Sequence, residues 1–212
     1  MLHGLETQSL YLIKMFEFIE KVVYINLEHR TDRREQIEKE LSIIPSEKVL
    51  RFNAIKHNNG GIGCVQSHIA VLEMAISEGW SNYLVVEDDA TWVNFDKSYP
   101  ILEKLARDPY DVIVLGSVFP KVDERFKLTS CQTTTAFIVH RDYYQTLLQN
   151  FKESCNLLIE TGNWSTYALD QYWKRIQPSG NWYGIVPSMM IQRPSFSDID
   201  QCFRDNRQYF TY

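Results

Sequence analysis

No apolar stretch in this 212-residue chain reaches the roughly eighteen residues that a membrane-spanning helix needs. The run Leu10-Tyr11-Leu12-Ile13 is flanked by Glu6, Lys14 and Glu17, which interrupt any signal-peptide core. Cysteine is sparse: Cys64, Cys131, Cys155 and Cys202 are scattered with no C-x-x-C pair, which argues against a zinc knuckle. A chain of this length buries a core without staples, so reduced and mostly buried thiols are expected. Positive charge is in deficit, with a net charge of −5, which argues against the broad basic footprint of a nucleic-acid binder. The Gly-Lys-Ser/Thr of a P-loop, the full Rossmann glycine spacing and the G-x-S-x-G of acyl-transfer enzymes are also missing. There is no internal repeat and no low-complexity tract. The expectation is a cytoplasmic protein, with residues 1–20 an N-terminal extension (Met15 an alternative start) and residues 21–212 one domain. The sequon Asn163-Trp164-Ser165 is read as a chance match.

What is present is an alternation of short apolar runs with helical patterns. Val22-Val23-Tyr24-Ile25 reads as a buried strand stopping at Asn26, and Asp32 to Leu41 as a surface helix with Ile37 and Leu41 on one face. Asn58 to Gly63 has the composition of a loop. Helical spacing of Ile69, Leu72, Ala75 and Ile76 then predicts a helix from Val65 to Glu78, ended by Gly79. Tyr83-Leu84-Val85-Val86 is the next strand. A helix near Ile101 to Ala106 precedes the strand Val112 to Leu115, which Gly116 closes. Ala136 to Val139 is a further strand, Tyr143 to Phe151 a helix, and Ser165 to Arg175 another helix. Ile185-Val186 and Met189 to Ile191 are late strands broken by Pro187. The pattern predicts an α/β fold with a largely parallel central sheet flanked by helices. Ligands of such sheets sit beyond the carboxyl ends of the strands, so the residues just after each strand carry the functional information.

Glu87-Asp88-Asp89 follows a strand directly. Three adjacent carboxylates repel one another, and a hard cation with oxygen ligands, Mg²⁺ or Mn²⁺, would relieve them. If the extended geometry persists, Glu87 and Asp89 face one side and Asp88 the other. A solvated acidic turn is the alternative, and spacing alone does not choose. After the first strand, Asn26 suits a nucleobase or ribose, and Arg30 or Arg33 a phosphate. A charged helix start capped by Thr31 or Asp32 explains the same residues. Ser67 and His68 fall in the first turns of a helix whose N-terminus favours an anion. Asp170, inside its predicted helix, is a candidate general base or an ordinary exposed acid. Trp164, Trp173, Trp182 and Tyr183 suit either a sugar face or core packing.

Five blocks in order resemble glycosyltransferase family 25, over roughly residues 20 to 200. They are Val23-Tyr24-Ile25-Asn26-Leu27 with Arg30, Asp32 and Arg33; Gly63-Cys64-Val65-Gln66-Ser67-His68; Leu84 to Ala90; Ala168-Leu169-Asp170; and the late run of Pro187, Gln192, Ser197, Asp198 and Ile199. The resemblance implies a single GT-A-like, Rossmann-type domain, a UDP-sugar donor, a divalent metal (usually Mn²⁺) and inversion at the anomeric carbon. Galactose or glucose would pass to a hydroxyl of a glycan or hydroxylated protein. It assigns the donor to Asn26, Leu27, Arg30, Arg33, Gly63, Ser67, His68, Glu87, Asp88 and Gln192. It assigns the metal to Asp89 and Glu87 and the base role to Asp170. Glu87 stands where the family pattern has aspartate. A non-catalytic nucleotide-sugar-binding module is the alternative, and a metal-dependent nucleotidyltransferase or phosphatase a further rival.

Overall fold

The computed structural model describes residues 16–212. Residues 1–15, and with them most of the expected extension and Met15, lie outside the described residues. Phe16 and Ile19, which follow, are buried in the core.

The chain builds a six-stranded sheet with helices on both faces. In chain order the elements are β1 (Lys21–Asn26), α1 (Thr31–Leu41), β2 (Val49–Asn53), α2 (Gly60–Ser77), β3 (Asn82–Glu87), β4 (Ala90–Trp92), α3 (Phe95–Leu105), β5 (Val112–Val122) and β6 (Leu128–His140). Then come α4 (Tyr144–Thr161), α5 (Trp164–Tyr167), α6 (Leu169–Tyr172), β7 (Trp182–Gly184), β8 (Met190–Gln192), β9 (Ser195–Ser197) and β10 (Cys202–Arg204). The main sheet has the order β2-β1-β3-β6-β5-β7. β1 runs parallel to β2 and β3, and β5 parallel to β7. β6 is antiparallel to both its neighbours, β3 and β5.

The near-continuous apolar runs are explained by burial on both sides. Alternation along each strand sends Val23, Val85, Phe137 and Val139 to the face covered by α2 and α4, where Leu72, Val71, Leu147 and Phe151 pack. Val22, Tyr24, Leu84, Val86 and Ile138 face the other way, against Ile37 and Leu41 of α1 and Leu102 and Leu105 of α3. Fully burying each such side chain contributes about 1.5–3 kcal/mol. Trp173 and Trp182 lie wholly inside the first cluster with rings perpendicular at 5.3 Å, so these two serve packing. Trp164 is exposed.

Several expected boundaries move. The segment expected as a loop up to Gly63 is helical from Gly60, because the Asn59 side chain caps α2 by accepting from the N–H groups of Gly61 and Ile62 at 3.0 and 3.3 Å. Its glycines serve close approach: a Cβ on Gly60 would stand 2.9 Å from Cα of Ile199, and one on Gly63 2.5 Å from the Ile55 carbonyl oxygen. Gly116 does not close β5. The strand runs through it, and a side chain there would drive into the Met190 carbonyl. The expected helix from Ser165 to Arg175 is broken at Ala168, whose ψ is 150°, so Asp170 sits in the first turn of the short α6. Ile185-Val186 is not a strand. The late strands are instead β7 and β8, on either side of a cis Val186-Pro187 bond. Arg30, not Thr31 or Asp32, occupies the N-cap position of α1, and it makes no side-chain cap there. Gly79, at φ +70°, follows α2 as expected.

Candidate active site

Parallel pairing brings the carboxyl ends of β1, β2 and β3 to one edge of the sheet, at Asn26, Asn53 and Glu87. Antiparallel β6 enters at that edge. Val86 pairs with Ala136, so the three threonines 133–135 lie beside the end of β3. Strand β8 pairs with β4 and puts Gln192 opposite Ala90.

The three carboxylates part company here. β3 ends at Glu87 and the chain turns, so the extended alternation does not persist through Asp89. Glu87 accepts from Thr134 Oγ1 at 2.6 Å and from Gln192 Nε2 at 2.7 Å. Asp88 turns toward β1 and α1, accepting from Asn26 Nδ2 at 2.8 Å and Arg33 Nη1 at 2.8 Å. Asp89 lies 3.3 Å from the same Arg33 nitrogen through Oδ2, while its Oδ1 is buried with no hydrogen-bond partner. Burial raises the carboxyls of both Glu87 and Asp89 above the ordinary range. The charge of Asp89 adds to the rise at Glu87, and Arg33 opposes it at Asp89.

Asp170 approaches from α6. Its Oδ2 accepts from the Thr133 N–H at 3.0 Å, and burial raises its carboxyl as well. Cys64, one turn into α2, marks the convergence. Its thiol is pushed up by burial and by the charges of Glu87, Asp170 and Asp89 together. His68, four residues on, is buried, and burial alone depresses its imidazole to about 4, so it is neutral. Its ring stacks on Phe137 at 5.8 Å and meets the edge of Phe151 at 6.2 Å.

The other residues expected at the donor are held by the protein itself. Asn26 is buried, with Nδ2 on Asp88 and the Arg30 carbonyl and Oδ1 accepting from Arg51 at 3.1 Å. Leu27 is half-buried and forms the turn into α1, its carbonyl accepting from the Arg30 N–H at 2.9 Å. Arg30 forks onto Asp32 at 2.9 and 2.8 Å and also grips Asp198. Arg33 reaches Ser195 Oγ at 2.6 Å and the Phe196 carbonyl at 2.8 Å, on the β9–β10 hairpin. Ser67 is buried, donating to the Gly63 carbonyl at 2.7 Å and accepting from the Ile55 N–H at 2.9 Å. It therefore ties the loop after β2 to α2. Gln192 bridges Glu87 and Asn206, whose Nδ2 donates to it at 3.1 Å.

Sequence reasoning missed Thr134 and Arg193. Arg193 donates through its backbone N–H to the Asp89 carbonyl at 2.7 Å and through Nη2 to the Asp88 carbonyl at 2.9 Å. Its place right after a late strand was a usable signal. Thr134 had none, since it precedes an apolar run in a strand whose antiparallel direction is not written locally.

The carboxylate oxygens of Glu87 and Asp89 suit a hard divalent cation, and the orphaned Asp89 Oδ1 supplies a free acceptor for it. No helix among the described residues is long and apolar enough to cross a membrane.

No family model matches the chain. It is 27% identical over 152 residues to the Putative glycosyltransferase R655 of Acanthamoeba polyphaga mimivirus, a match that covers 58% of this chain and 46% of that protein. The chain therefore matches about half of that relative's length. Among solved structures it resembles a glycosyltransferase involved in glycosylation of the major capsid of PBCV-1, with a TM-score of 0.54 and 13% identity over 85% of this chain and 95% of that one. A197 from STIV is similar at a TM-score of 0.47 and 13% identity, over 92% and 95% of the two chains. The fold is a mixed α/β fold of the GT-A glycosyltransferase type.

Proposed function

We propose that this chain is a metal-dependent inverting glycosyltransferase of the family 25 kind. It moves galactose or glucose from a UDP-sugar to a hydroxyl of a glycan or glycosylated protein. The observation that carries the reading is the convergence of Glu87, Asp89 and Asp170 around Cys64, beyond the carboxyl end of β3.

Asp89 and Glu87 would hold Mn²⁺ or Mg²⁺, which when bound supplies Lewis-acid neutralisation of the leaving diphosphate. One or two carboxylates suffice when the substrate brings phosphate oxygens. Gln192 and Thr134 keep Glu87 oriented through the hydrogen bonds they donate to it. Arg193 lies beside the same carboxylates and offers positive charge toward a diphosphate. Asp170 takes the proton of the acceptor hydroxyl. Its raised carboxyl makes it a better proton acceptor than an exposed aspartate, and the Thr133 N–H fixes one oxygen while the reaction uses the other. A base on the face opposite the leaving group gives inversion, as in inverting hydrolases with water replaced by the acceptor. Holding donor and acceptor in line adds several kcal/mol, up to about 7–11 in well-oriented systems.

The test is release of UDP from a panel of UDP-sugars, with Mn²⁺ and with EDTA, beside Asp89→Ala. Metal-dependent release from one sugar nucleotide, lost in the variant, supports the class and names the donor. Absence of both release and donor binding would refute it.

A further inference from the structure

The donor atoms of Cys64, His68 and Glu87 lie within 4.8 Å of one another on the sheet-facing side of α2. Cys64 and His68 are four residues apart, hence one above the other on the same helical face, and Glu87 meets them from the end of β3. Thiolate, imidazole and carboxylate form a softer ligand set than the carboxylates of Glu87 and Asp89 alone. We propose that Cys64, His68 and Glu87 form a second metal site, selective for a borderline-soft divalent ion of the zinc class, beside the hard-cation position at Asp89.

Geometry and surroundings support this independently of the transferase reading. Zinc bonds of about 2.0–2.3 Å at tetrahedral angles put ligand atoms roughly 3.6 Å apart, so the three need to close by at most about 1 Å. His68 is buried among Phe137 and Phe151 and is neutral, the form in which an imidazole nitrogen ligates a metal. Glu87 already carries the outer partners that orient a ligating carboxylate, Thr134 and Gln192. Asp89 and Asp170 add negative potential at Cys64, which disfavours a bare thiolate and favours a cation. On binding, the Cys64 proton leaves to solvent and the ion takes the thiolate, giving a charge-neutral set of Cys⁻, His and Glu⁻. Glu87 belongs to both sites, so in a working transferase the softer ion displaces the donor metal and inhibits.

Cobalt(II) titration of the purified chain tests this without any sugar substrate. Expected is a sulfur-to-cobalt charge-transfer absorption saturating at one ion per chain and displaced by Zn²⁺. It should persist in Cys202→Ser, the other half-exposed thiol, and vanish in Cys64→Ser. Cys64→Ser should also weaken Zn²⁺ binding by more than the roughly 10–100-fold that loss of an outer partner costs. Near-ultraviolet circular dichroism of the variants confirms that they fold, with Cys64→Ala as the second variant. No absorption in the folded wild type, or one that survives in Cys64→Ser and Cys64→Ala, overturns the proposal. UDP release with Mn²⁺ is read separately, so failure of this site and failure of the transferase reading are distinguishable.

Discussion

Thr133 donates its backbone N–H to Oδ2 of Asp170 at 3.0 Å, and does so from a φ of +69°. A β-branched residue at positive φ is an outlier that costs on the order of 1–3 kcal/mol. The strain falls inside β6, where its pairing with β5 is irregular, and it aims the amide at the one carboxylate proposed to accept a proton. Thr133→Gly should therefore be neutral or stabilising by up to about 1 kcal/mol, where a glycine in a strand normally weakens it. Urea unfolding reads this, and a loss above about 2 kcal/mol would count against stored strain.

Asp170→Asn removes the proton acceptor but keeps the shape and the bond from Thr133. Transfer should fall by about 10²–10⁴-fold, the range for a positioned base, with donor affinity little changed. Steady-state kinetics with a donor-binding titration separates the two, and a variant of full activity would dismiss the assignment.

Asp89→Asn leaves a side chain of the same size with a weaker ligand oxygen at the position whose Oδ1 is unpartnered. Mn²⁺-dependent UDP release should disappear, as it should in wild type treated with EDTA, and excess Mn²⁺ should restore only the wild type. Restoration of the variant would move the metal elsewhere.

Arg30 clamps Asp32 and Asp198, tying the start of α1 to the β9–β10 hairpin. The hydrogen bond from Arg30 holds the Asp32 carboxyl down to about 2, and Asp198 is likewise lowered, with Arg30 and His29 outweighing its burial. Both carboxyls are depressed in the folded chain, so their contribution is complete above the unfolded value of about 4 and is lost as pH falls through the depressed values, about 2 for Asp32. Hydrogen-exchange protection at Phe196 and Phe203, taken relative to the intrinsic rate at each pH, should fall over that window. Asp32→Asn with Asp198→Asn should show low protection already at neutral pH, with no further fall in acid. A hairpin equally protected at pH 7 and pH 2 would disprove the clamp.

Gly116→Ala places a methyl group against the Met190 carbonyl in the middle of β5, where backbone has to yield. The expected cost is about 3 kcal/mol or more, at the upper end for overpacking. By contrast Gly79→Asn, with open space around it and a left-handed conformation that asparagine tolerates, should cost well under that. Denaturation midpoints of the pair settle the difference.

The strands β1 and β3 and the helices α1 and α2 were legible because their signals are local: β-branched runs, and apolar residues at helical spacing. The rule that ligands lie past strand ends then led to Glu87, Asp88 and Asp89 without reference to any partner. For Arg30 and Arg33 the sequence offered either phosphate contact or a charged helix start, and it could not show that carboxylates grip both; Asp198 lies 168 residues from its partner Arg30. Such pairing leaves no mark in a sequence window. The helix expected through Asp170 broke at Ala168 because packing of α6 under β6 overrode propensity there.

By itself the sequence determined the alternation of elements and the acidic edge, since apolar periodicity and adjacent like charges act over a few residues. Tertiary structure decided which carboxylates meet. The turn after Glu87 sends Asp88 to Asn26 and Arg33, leaves Asp89 Oδ1 without a partner and brings Asp170 in from another layer. Burial and through-space charge act across the sheet, and only the folded chain sets those distances.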